Sequence, residues 1–451
     1  MSPDKSVGLP EDPGVEDLLA ILERENLFLT GAAGTGKSWL TNRVIDAYRE
    51  EERGVVPLGS TGVSAVNIGG LTLHSFFVLG ICNSFEELKE HDRRNKKRLG
   101  DLKRLLKATE LIVIDEISMV GVETLEMVRY RLESLGYGGR VMFVGDFYQL
   151  PPVVKAPAGD AGLFGEALYA FESGAWAAFA PRVVELRRMR RTRDEAFTRI
   201  LARIRRGERD REVVDYLLGL CNNDAVFGME PTWLYGRNQE VERMNAESLA
   251  RLEEEEILCF AELEKEKRLH EKRLESWLKL LPVQEQLRLK IGAPVLFTVN
   301  RWGRYVNGER GVLRAVEEEF LIVEKEGEFV RVEPHEFVLG EPELDGEGRL
   351  QMRPVATLRQ YPLKLAYAVT IHKSQGMSID RLVCNVDTIF VPSQFYVAIS
   401  RATDPRTLRI DFNRGDLERY LERVVRVDPR VVRWHAEMGI GVPTGVERSA
   451  E

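Results

Sequence analysis

The feature that most limits how this chain can fold is the segment of residues 31–38, whose sequence is GAAGTGKS. It matches the pattern G-x-x-x-x-G-K-[ST], and it lies between an apolar run that predicts a buried strand, residues 26–30, and a predicted helix that begins at Lys37. Glycines let backbone N–H groups turn inward around phosphate oxygens, and the helix N-terminus adds partial positive charge. The segment therefore predicts a nucleoside triphosphate site in an α/β domain. The residues expected to contact the phosphates are Gly34, Thr35, Gly36, Lys37 and Ser38.

Acidic residues follow a second buried strand, and they favour a hydrolase over other proteins that bind phosphates. Residues 111–114 form an apolar run that ends in Asp115 and Glu116. We expect Asp115 and the hydroxyl of Ser38 to bind Mg²⁺, and Glu116 to polarise the attacking water. The alternative for this pair is an acidic turn at the end of a strand.

A polar loop with the sequence GDFYQLPPV, residues 145–153, follows a third apolar run at residues 140–145. Gln149 in this loop is expected to sense the γ-phosphate and orient water. The two prolines stiffen the segment that follows, so the loop can transmit the state of the nucleotide to a second site. Apolar strands that alternate with helices up to this point predict a parallel sheet.

Composition sets outer limits on the function. The chain has 451 residues, 44% of them hydrophobic, which is enough for two to four packed domains. A net charge of -8 argues against a protein that coats nucleic acid, but it is compatible with a local basic groove. The scattered cysteines form no C-x-x-C pair, which disfavours disulfides and a zinc site. With no secretion signal and no long apolar run, we expect a cytoplasmic protein without a membrane span.

The second half of the chain predicts another α/β unit that a β-rich insertion interrupts. Residues 232–235 predict its first strand, and residues 239–280, rich in charged residues and leucine at helical spacing, predict exposed helices. Short β-rich runs separated by turns, residues 292–355, predict a small antiparallel barrel. The α/β pattern then resumes to about residue 410, and a helix at residues 416–427 precedes a tail.

Six segments together resemble the motifs of one family. They are DEISM at residues 115–119, GDFYQLPPV at 145–153, TGVSA at 61–65, IGGLTLHSF at 68–76, AVTIHKSQGMS at 368–378 and YVAISRA at 396–402. In this order they are similar to motifs II and III, the early DNA-contacting motifs, and motifs V and VI of the Pif-type (petite integration frequency) helicases. These enzymes belong to superfamily 1B and move 5′ to 3′ on single-stranded DNA. The resemblance spans roughly residues 24–410.

The resemblance implies an α/β protein of two RecA-like P-loop NTPase domains that bind ATP and Mg²⁺ between them. It also implies a small wedge insertion and an inserted SH3-like β-barrel. The boundaries that follow are 1–185 for the first domain with the wedge at about 78–105, 186–292 and 361–412 for the second domain, 293–360 for the barrel, and 413–451 for a C-terminal helix and tail.

The resemblance further assigns roles at the nucleotide. The catalytic residues that it implies are Lys37, Asp115, Glu116, Gln149, Arg191 and Arg401. The two arginines would come from the second domain and stabilise charge on the γ-phosphate, with Gln375 and Gly376 beside them. Either arginine could instead belong to the surface. Residues 182–206 hold so many arginines that the register of Arg191 is less secure.

The implied partners are single-stranded DNA and forked duplex DNA. Binding in such motors uses phosphate contacts and stacking surfaces rather than base edges. The residues expected to contact DNA are Thr61, Gly62, Thr72, His74, Phe76, His372 and Ser374. For Phe76 the core alternative is favoured, and His372 has a buried structural alternative. The basic wedge would meet the duplex junction.

The sequence departs from the family pattern in two places. Motif IV usually has Gln after its arginine, and this chain has Thr192 there. Family members usually carry a Gln ahead of the phosphate loop that reads adenine, but no Gln precedes Gln149, and Gly14 holds that position by register. Selectivity for adenine is therefore in doubt.

Three alternatives stay open at this stage. A RecD-like or conjugative-relaxase motor shares motif V and the barrel. A nucleotide-dependent phosphotransferase explains the phosphate loop but not motifs III, V and VI. A non-catalytic single-strand binding protein is disfavoured because Lys37, Asp115 and Glu116 are intact. G-quadruplexes, R-loops and stalled forks are substrates that the family resemblance raises, and no residue selects among them.

Overall fold

The computed structural model describes residues 12–80, 82, 84–152, 169–301, 303–389 and 393–440. The chain divides into two compact units. Unit 1 comprises Met1–Ser60, Leu73–Arg190 and Arg426–Glu451, and unit 2 comprises Thr61–Thr72 and Arg191–Val425. Among the described residues, no helix has both the length and the apolar character that a bilayer crossing needs.

The secondary structure alternates helices and strands in both halves of the chain. The α-helices are α1 (Val15–Leu22), α2 (Lys37–Glu50), α3 (Gly62–Asn67), α4 (Leu73–Phe76), α5 (Phe85–Arg94), α6 (Lys96–Lys107), α7 (Val122–Leu135), α8 (Gly174–Phe179), α9 (Glu195–Arg205), α10 (Arg211–Cys221), α11 (Asn238–Ala250), α12 (Glu271–Leu280), α13 (Gln394–Ile399), α14 (Leu417–Val424) and α15 (Pro429–Glu437). The strands are β1 (Leu27–Gly31), β2 (Val55–Gly59), β3 (Leu71–Thr72), β4 (Leu111–Asp115), β5 (Arg140–Val144), β6 (Arg182–Leu186), β7 (Thr232–Tyr235), β8 (Ile257–Phe260), β9 (Glu262–Lys265), β10 (Gln286–Leu289), β11 (Pro294–Phe297), β12 (Arg310–Val316), β13 (Leu321–Lys325), β14 (Glu328–Val332), β15 (His335–Leu344), β16 (Leu350–Gln360), β17 (Leu363–Leu365), β18 (Ala368–Thr370), β19 (Leu382–Asn385) and β20 (Leu408–Asp411).

Unit 1 is built on a parallel sheet in which β2, β4, β5, β1 and β6 lie side by side in that order. These strands are short apolar runs, and both faces of β1 and β2 are buried along their whole length. Such runs are typical of parallel strands that helices cover on both faces. The three strands predicted from the apolar runs of the first half are confirmed. Since β4, β5 and β1 are neighbours, the loops at their carboxyl ends converge on one edge of the sheet.

The C-terminal segment differs from its prediction. One helix was expected at residues 416–427, but the structure has α14 and a further helix, α15, which starts after Asp428. The Asp428 side chain accepts a hydrogen bond from the Arg430 backbone N–H (2.9 Å), and Pro429 occupies the first helical turn. This Asp-Pro start signal ends one helix and begins the next. Residues 441–451 of the predicted tail lie outside the described residues.

Helix α15 belongs to unit 1 and completes its aromatic core. The Trp434 ring stacks on Phe171 (centroids 4.8 Å apart) and meets Phe147 edge-on at 5.1 Å. It also lies 5.9 Å from Phe28 on β1 and 5.9 Å from Trp176 on α8. Packing of this kind stabilises beyond the apolar area that it buries. The last described helix is therefore part of the first unit's core.

Unit 2 contains a parallel sheet of β18, β7, β19 and β20 in that order. Its strand β7 confirms the strand predicted at residues 232–235. A separate antiparallel sheet has the order β14-β13-β12-β11-β17, and its buried core includes Phe297, Leu313 and Val323. The short β-rich runs are confirmed as strands. Because β17 pairs with β11, this sheet extends past residue 360, where the predicted barrel ended. Closure into an SH3-like barrel stays a prediction.

The prediction of helices throughout residues 239–280 is wrong in part. Helices α11 and α12 are present, but β8 and β9 lie between them. Strand β9 pairs with β16 of the long β15–β16 hairpin, and β8 pairs with β10. The side chains of β9 are all exposed, so its state is set by backbone pairing with β16 rather than by its own composition. Distant pairing of this kind leaves no periodic signal in the sequence.

Candidate active site and nucleic-acid interface

The phosphate loop follows β1 and leads into α2. Gly34 and Gly36 have positive φ angles of 85° and 100°, which glycine adopts without strain. The ammonium of Lys37 donates to the carbonyls of Gly31 (2.7 Å) and Ala32 (3.0 Å) across the loop. The Thr35 hydroxyl donates to the Ala32 carbonyl at 2.9 Å. The loop is thus held in a compact turn, with its lysine at the position from which the motif binds phosphate.

The acidic pair lies at the end of β4, on the same edge of the sheet. Glu116 follows the strand with a left-handed backbone (φ 54°, ψ 47°), an uncommon conformation for a residue with a side chain. Strain of this kind concentrates at functional sites. Burial and the neighbouring Glu116 carboxylate raise the pKa of Asp115, while a backbone hydrogen bond and the charge of Lys37 oppose this rise. The lysine and both carboxylates therefore form one electrostatic cluster.

This cluster fits a magnesium ion. Ser38 lies exposed in the first turn of α2, and Asp115 offers a carboxylate. Hydroxyl and carboxylate oxygens are the donors that Mg²⁺ prefers. The raised pKa shows that the Asp115 carboxylate is poorly compensated by the protein alone, and a divalent cation would supply that compensation.

Gln149 follows β5 on the adjacent strand end and is buried. Its side-chain amide donates to a carboxylate oxygen of Asp146 (3.2 Å), and its backbone N–H donates to the Asp146 carbonyl (2.8 Å). The same carboxylate accepts from the backbone of Tyr148 at 3.2 Å. Asp146 thus fixes the loop that carries Gln149. Val153, the last residue of this motif, lies outside the described residues.

Unit 2 brings the two predicted arginines together. Arg191 donates to the Ser378 hydroxyl (2.9 Å) and the Ser400 carbonyl (2.7 Å), and within the described part of the chain it forms no ion pair. Arg401 is 3% exposed and donates to the carbonyls of Val397 and Ser374. Burial and the nearby Arg401 charge lower the pKa of Arg191 to about 9. Two cations enclosed in this way form a site suited to an anion.

The motif V segment presents some predicted residues and hides another. His372 and Gly376 are exposed, and Gly376 has a positive φ of 78°. Gln375 is half-buried. Ser374 is fully buried, and its hydroxyl donates to the Ile371 carbonyl at 2.8 Å. The Ser374 side chain therefore stabilises the turn in this structure and does not face a surface that DNA could reach.

The segments at residues 61–65 and 68–76, which were expected to contact DNA, also contain both exposed residues and residues with structural roles. The hydroxyl of Thr61 accepts a hydrogen bond from the backbone of Ser64 (3.2 Å) and caps α3. At Gly62 an added Cβ would overlap the side chain of Leu280, so the leucine would have to shift to accommodate any other residue. Thr72 is half-buried, and His74 is exposed on α4.

Phe76 takes its core alternative. It is 5% exposed, and its ring meets that of the fully buried Phe77 edge-on at 5.0 Å. Neither ring is available in this structure to stack on a base. The cause is the short helix α4, which turns its apolar side inward and leaves His74 outside.

Arg190 lies beside the phosphate loop, and it was not predicted from the sequence as a site residue. Its backbone N–H donates to the Gly34 carbonyl (2.9 Å), and its side chain pairs with Asp12 at 2.6 Å. Nearby, the backbone N–H of Gly14 donates to the Asp17 carboxylate at 2.8 Å. Because glycine has no side chain, this position offers none to read adenine. Arg190 could not be identified from the sequence, because no motif distinguishes it from the other arginines around it.

Comparison with known proteins decides the family. The PIF1-like helicase model matches residues 16–214, and a second model described as helicase matches residues 346–425. The ATP-dependent DNA helicase Pif1 of Campylobacter jejuni is 40% identical over 434 residues, which cover 93% of this chain and 96% of that protein. This chain belongs to the PIF1-like helicase family. The Bdellovibrio bacteriovorus ATP-dependent DNA helicase Pif1 is 34% identical and covers 95% of this chain and 91% of its own length.

Solved structures of PIF1-like helicases share the fold. Bacteroides sp Pif1 in complex with ADP-AlF4 matches with a TM-score of 0.76 at 24% identity, covering 94% of this chain and 96% of that one. Pif1 helicase from Candida albicans matches with a TM-score of 0.65 at 28% identity, covering 94% and 97%. The predicted Pif-type resemblance is confirmed. The RecD-like, phosphotransferase and non-catalytic alternatives are set aside.

Proposed function

We propose that this chain is an ATP-dependent DNA helicase that moves 5′ to 3′ along single-stranded DNA and unwinds forked duplex. One observation carries the proposal: Lys37, the Asp115–Glu116 pair and Gln149 all follow strands whose carboxyl ends are neighbours in one parallel sheet. Such an edge supplies a phosphate clamp, a metal ligand, a base and a sensor within one rigid unit. Membership of the PIF1-like helicase family supports the same reading.

Hydrolysis would use groups that the structure already orders. On nucleotide binding, Lys37 would exchange its two loop carbonyls for phosphate oxygens. Mg²⁺ held by Ser38 and Asp115 would neutralise phosphate charge. Glu116 would orient and deprotonate the attacking water, and its left-handed backbone fixes the carboxylate just beyond the strand. Gln149, which is hydrogen-bonded to Asp146, would sense the presence of the γ-phosphate.

Arg191 and Arg401 would supply positive charge to the reaction. Arg191 and Arg401 lie close to each other, and each donates to a serine backbone carbonyl. A phosphoryl group in transfer carries negative charge that such arginines stabilise. The lowered pKa of Arg191 indicates that bringing an anion to this pair relieves an unfavourable burial.

The proposed contacts are with the phosphate backbone of the DNA. His74 and His372 are exposed, and Thr61 and Gly62 begin α3, whose N-terminal N–H groups suit a phosphate. Structures that share the fold include Bacteroides Pif1 bound to ssDNA and a structure that addresses DNA unwinding at forked dsDNA by two coordinating Pif1 helicases. These relatives support single-stranded and forked DNA as partners of this chain. The basic helices α5 and α6 are proposed as the wedge, and β11–β14 with β17 as the SH3-like insertion.

Two assays test the proposal. ATP hydrolysis should rise when single-stranded DNA is added, and forked duplexes should open only when they carry a 5′ single-stranded tail. A rate of ATP hydrolysis that does not change when single-stranded DNA is added would refute the motor function. Unwinding that requires a 3′ tail would refute the direction alone. The same assay with a G-quadruplex or a DNA–RNA hybrid downstream of the 5′ tail tests those substrates.

A further inference from the structure

A buried arginine outside the nucleotide site joins three parts of unit 1. Arg131, on α7, is 2% exposed. Its guanidinium donates to the carbonyls of Phe77 (3.0 Å) and Val78 (3.3 Å), and to both carboxylate oxygens of Asp92, one of them at 2.6 Å. Buried charges of this kind are costly unless their partners are complete and well oriented. A side chain this well satisfied defines the relative position of everything that it touches.

The segment that Arg131 holds has an uncommon backbone. Val78 has a φ of 53°, which a β-branched residue rarely adopts. Two residues on, Gly80 has a φ of 67°, and an added Cβ there would lie 2.8 Å from the ring nitrogen Nε2 of His91 on α5. Such conformations persist only where surrounding contacts impose them. The Arg131 hydrogen bonds are contacts of this kind.

The three parts joined by Arg131 have distinct roles in the proposed function. The first is α4, which ends just before Phe77 and carries the exposed His74. The second is the helical pair α5–α6, anchored to unit 1 by buried Leu88, Leu102 and Leu106. The third is α7, the first α-helix after Glu116.

The helical pair presents a basic surface. The exposed basic residues of α5 and α6 are Lys89, Arg93, Arg94, Lys96, Lys97, Arg98, Lys103, Arg104 and Lys107, and they outnumber the exposed acidic residues Glu86, Glu87 and Glu90. Such a surface attracts the phosphates of nucleic acid. Its distance from the strand-contacting helix α4 is fixed through the Asp92–Arg131 pair.

We infer that Arg131 is a positioning residue for strand separation: it holds the basic helical pair at a fixed place relative to the DNA-contacting helix, so that translocation is converted into duplex opening. The inference rests on the proposed helicase function. Arg131 contacts neither the phosphate loop nor the acidic pair among its described hydrogen bonds, so hydrolysis itself should not depend on it. Replacement of Arg131 should therefore reduce unwinding without reducing ATP hydrolysis.

The test compares Arg131→Met with Arg129→Met. Arg129 lies on the same helix, but its side chain is partly exposed and forms an ion pair with Glu133 (2.6 Å) one turn along, so it is a matched control. We expect Arg131→Met to reduce single-turnover unwinding of a 5′-tailed fork about tenfold and to leave hydrolysis stimulated by single-stranded DNA within about twofold, as misplacement of a working group does. The ATP consumed per base pair opened should rise accordingly. The Arg129→Met protein should match the parent in each assay.

A second variant covers the case in which Arg131→Met does not fold, as its melting curve would reveal. Asp92→Asn keeps the shape and removes the charge, and it should show the same separation with a smaller loss of unwinding. Parallel loss of hydrolysis and unwinding in a folded variant would overturn the inference, and so would unwinding at the parental rate. If the parent protein opens no fork at all, the proposed function fails instead.

Discussion

Replacing Arg191 with methionine should stabilise unit 2 while it removes DNA-stimulated hydrolysis. Methionine has a similar length and no charge, so it can fill the same space next to Arg401. At pH 7 Arg191 is protonated in both the folded and the unfolded chain, so its lowered pKa reflects the cost of enclosing the charge. The stability and the activity of this site therefore oppose each other.

The size of the effect follows from the structure. The fall of the Arg191 pKa from its ordinary value to about 9 corresponds to about 5 kcal/mol, which is an upper limit. The two hydrogen bonds lost, to Ser378 and Ser400, offset about 3 kcal/mol of this. The free energy of unfolding should thus rise by about 2 kcal/mol, which raises the Tm of a unit this size by about 5 °C.

Thermal melting followed by circular dichroism measures the change, and Arg188→Met serves as the control because Arg188 is exposed in the same stretch. A non-hydrolysable ATP analogue with Mg²⁺ should raise the Tm of the parent by more than that of Arg191→Met. A lower Tm in Arg191→Met without nucleotide would refute the reasoning. So would DNA-stimulated turnover within about threefold of the parent, since loss of such an arginine costs at least about a thousandfold.

Three other predictions test the rest of the site. Lys37→Ala should abolish ATP turnover, whereas Glu116→Gln should bind nucleotide and not hydrolyse it, which equilibrium binding and phosphate release distinguish. With no side chain at Gly14 to read adenine, kcat/KM for ATP and GTP should agree within about tenfold, since one missing recognition pair gives little discrimination. Joint replacement of His74 and His372 with alanine should weaken binding of single-stranded DNA and leave its salt dependence unchanged. The surrounding protein lowers the pKa of His74, so its neutral ring releases few counterions. A flatter salt dependence would contradict this.

Local motifs predicted where the phosphate loop and the acidic pair lie relative to the strands of unit 1, while their catalytic roles stay predictions. The phosphate loop and the acidic pair each sit where a buried apolar strand ends, and residue order alone shows that. The positions of Arg191 and Arg401 next to each other agree with their predicted roles, although they lie far apart in the sequence. Motif order supplied that information, because no periodicity reveals it.

The remaining features depend on tertiary packing. Phe76 and Ser374 fall within matching motifs, but each lies on the inner side of a short turn, and only the folded chain decides which side that is. Strand β9 forms because β16 offers an edge. The Arg131–Asp92 pair links α7 to α5, and neither residue stands out among many charged neighbours. Such contacts arise between segments whose sequences carry no shared signal.

The place of Trp434 in the core of unit 1 has a consequence for biosynthesis. A chain emerges from the ribosome N-terminus first, at about 5–20 residues per second. The ring that packs against Phe28 and Phe147 therefore arrives roughly tens of seconds after β1 has been made. Until then the nascent chain exposes an apolar face that chaperones can bind. The nucleotide-binding unit thus matures only after all of unit 2 has been translated, and no stalled fragment lacking α15 contains its complete core.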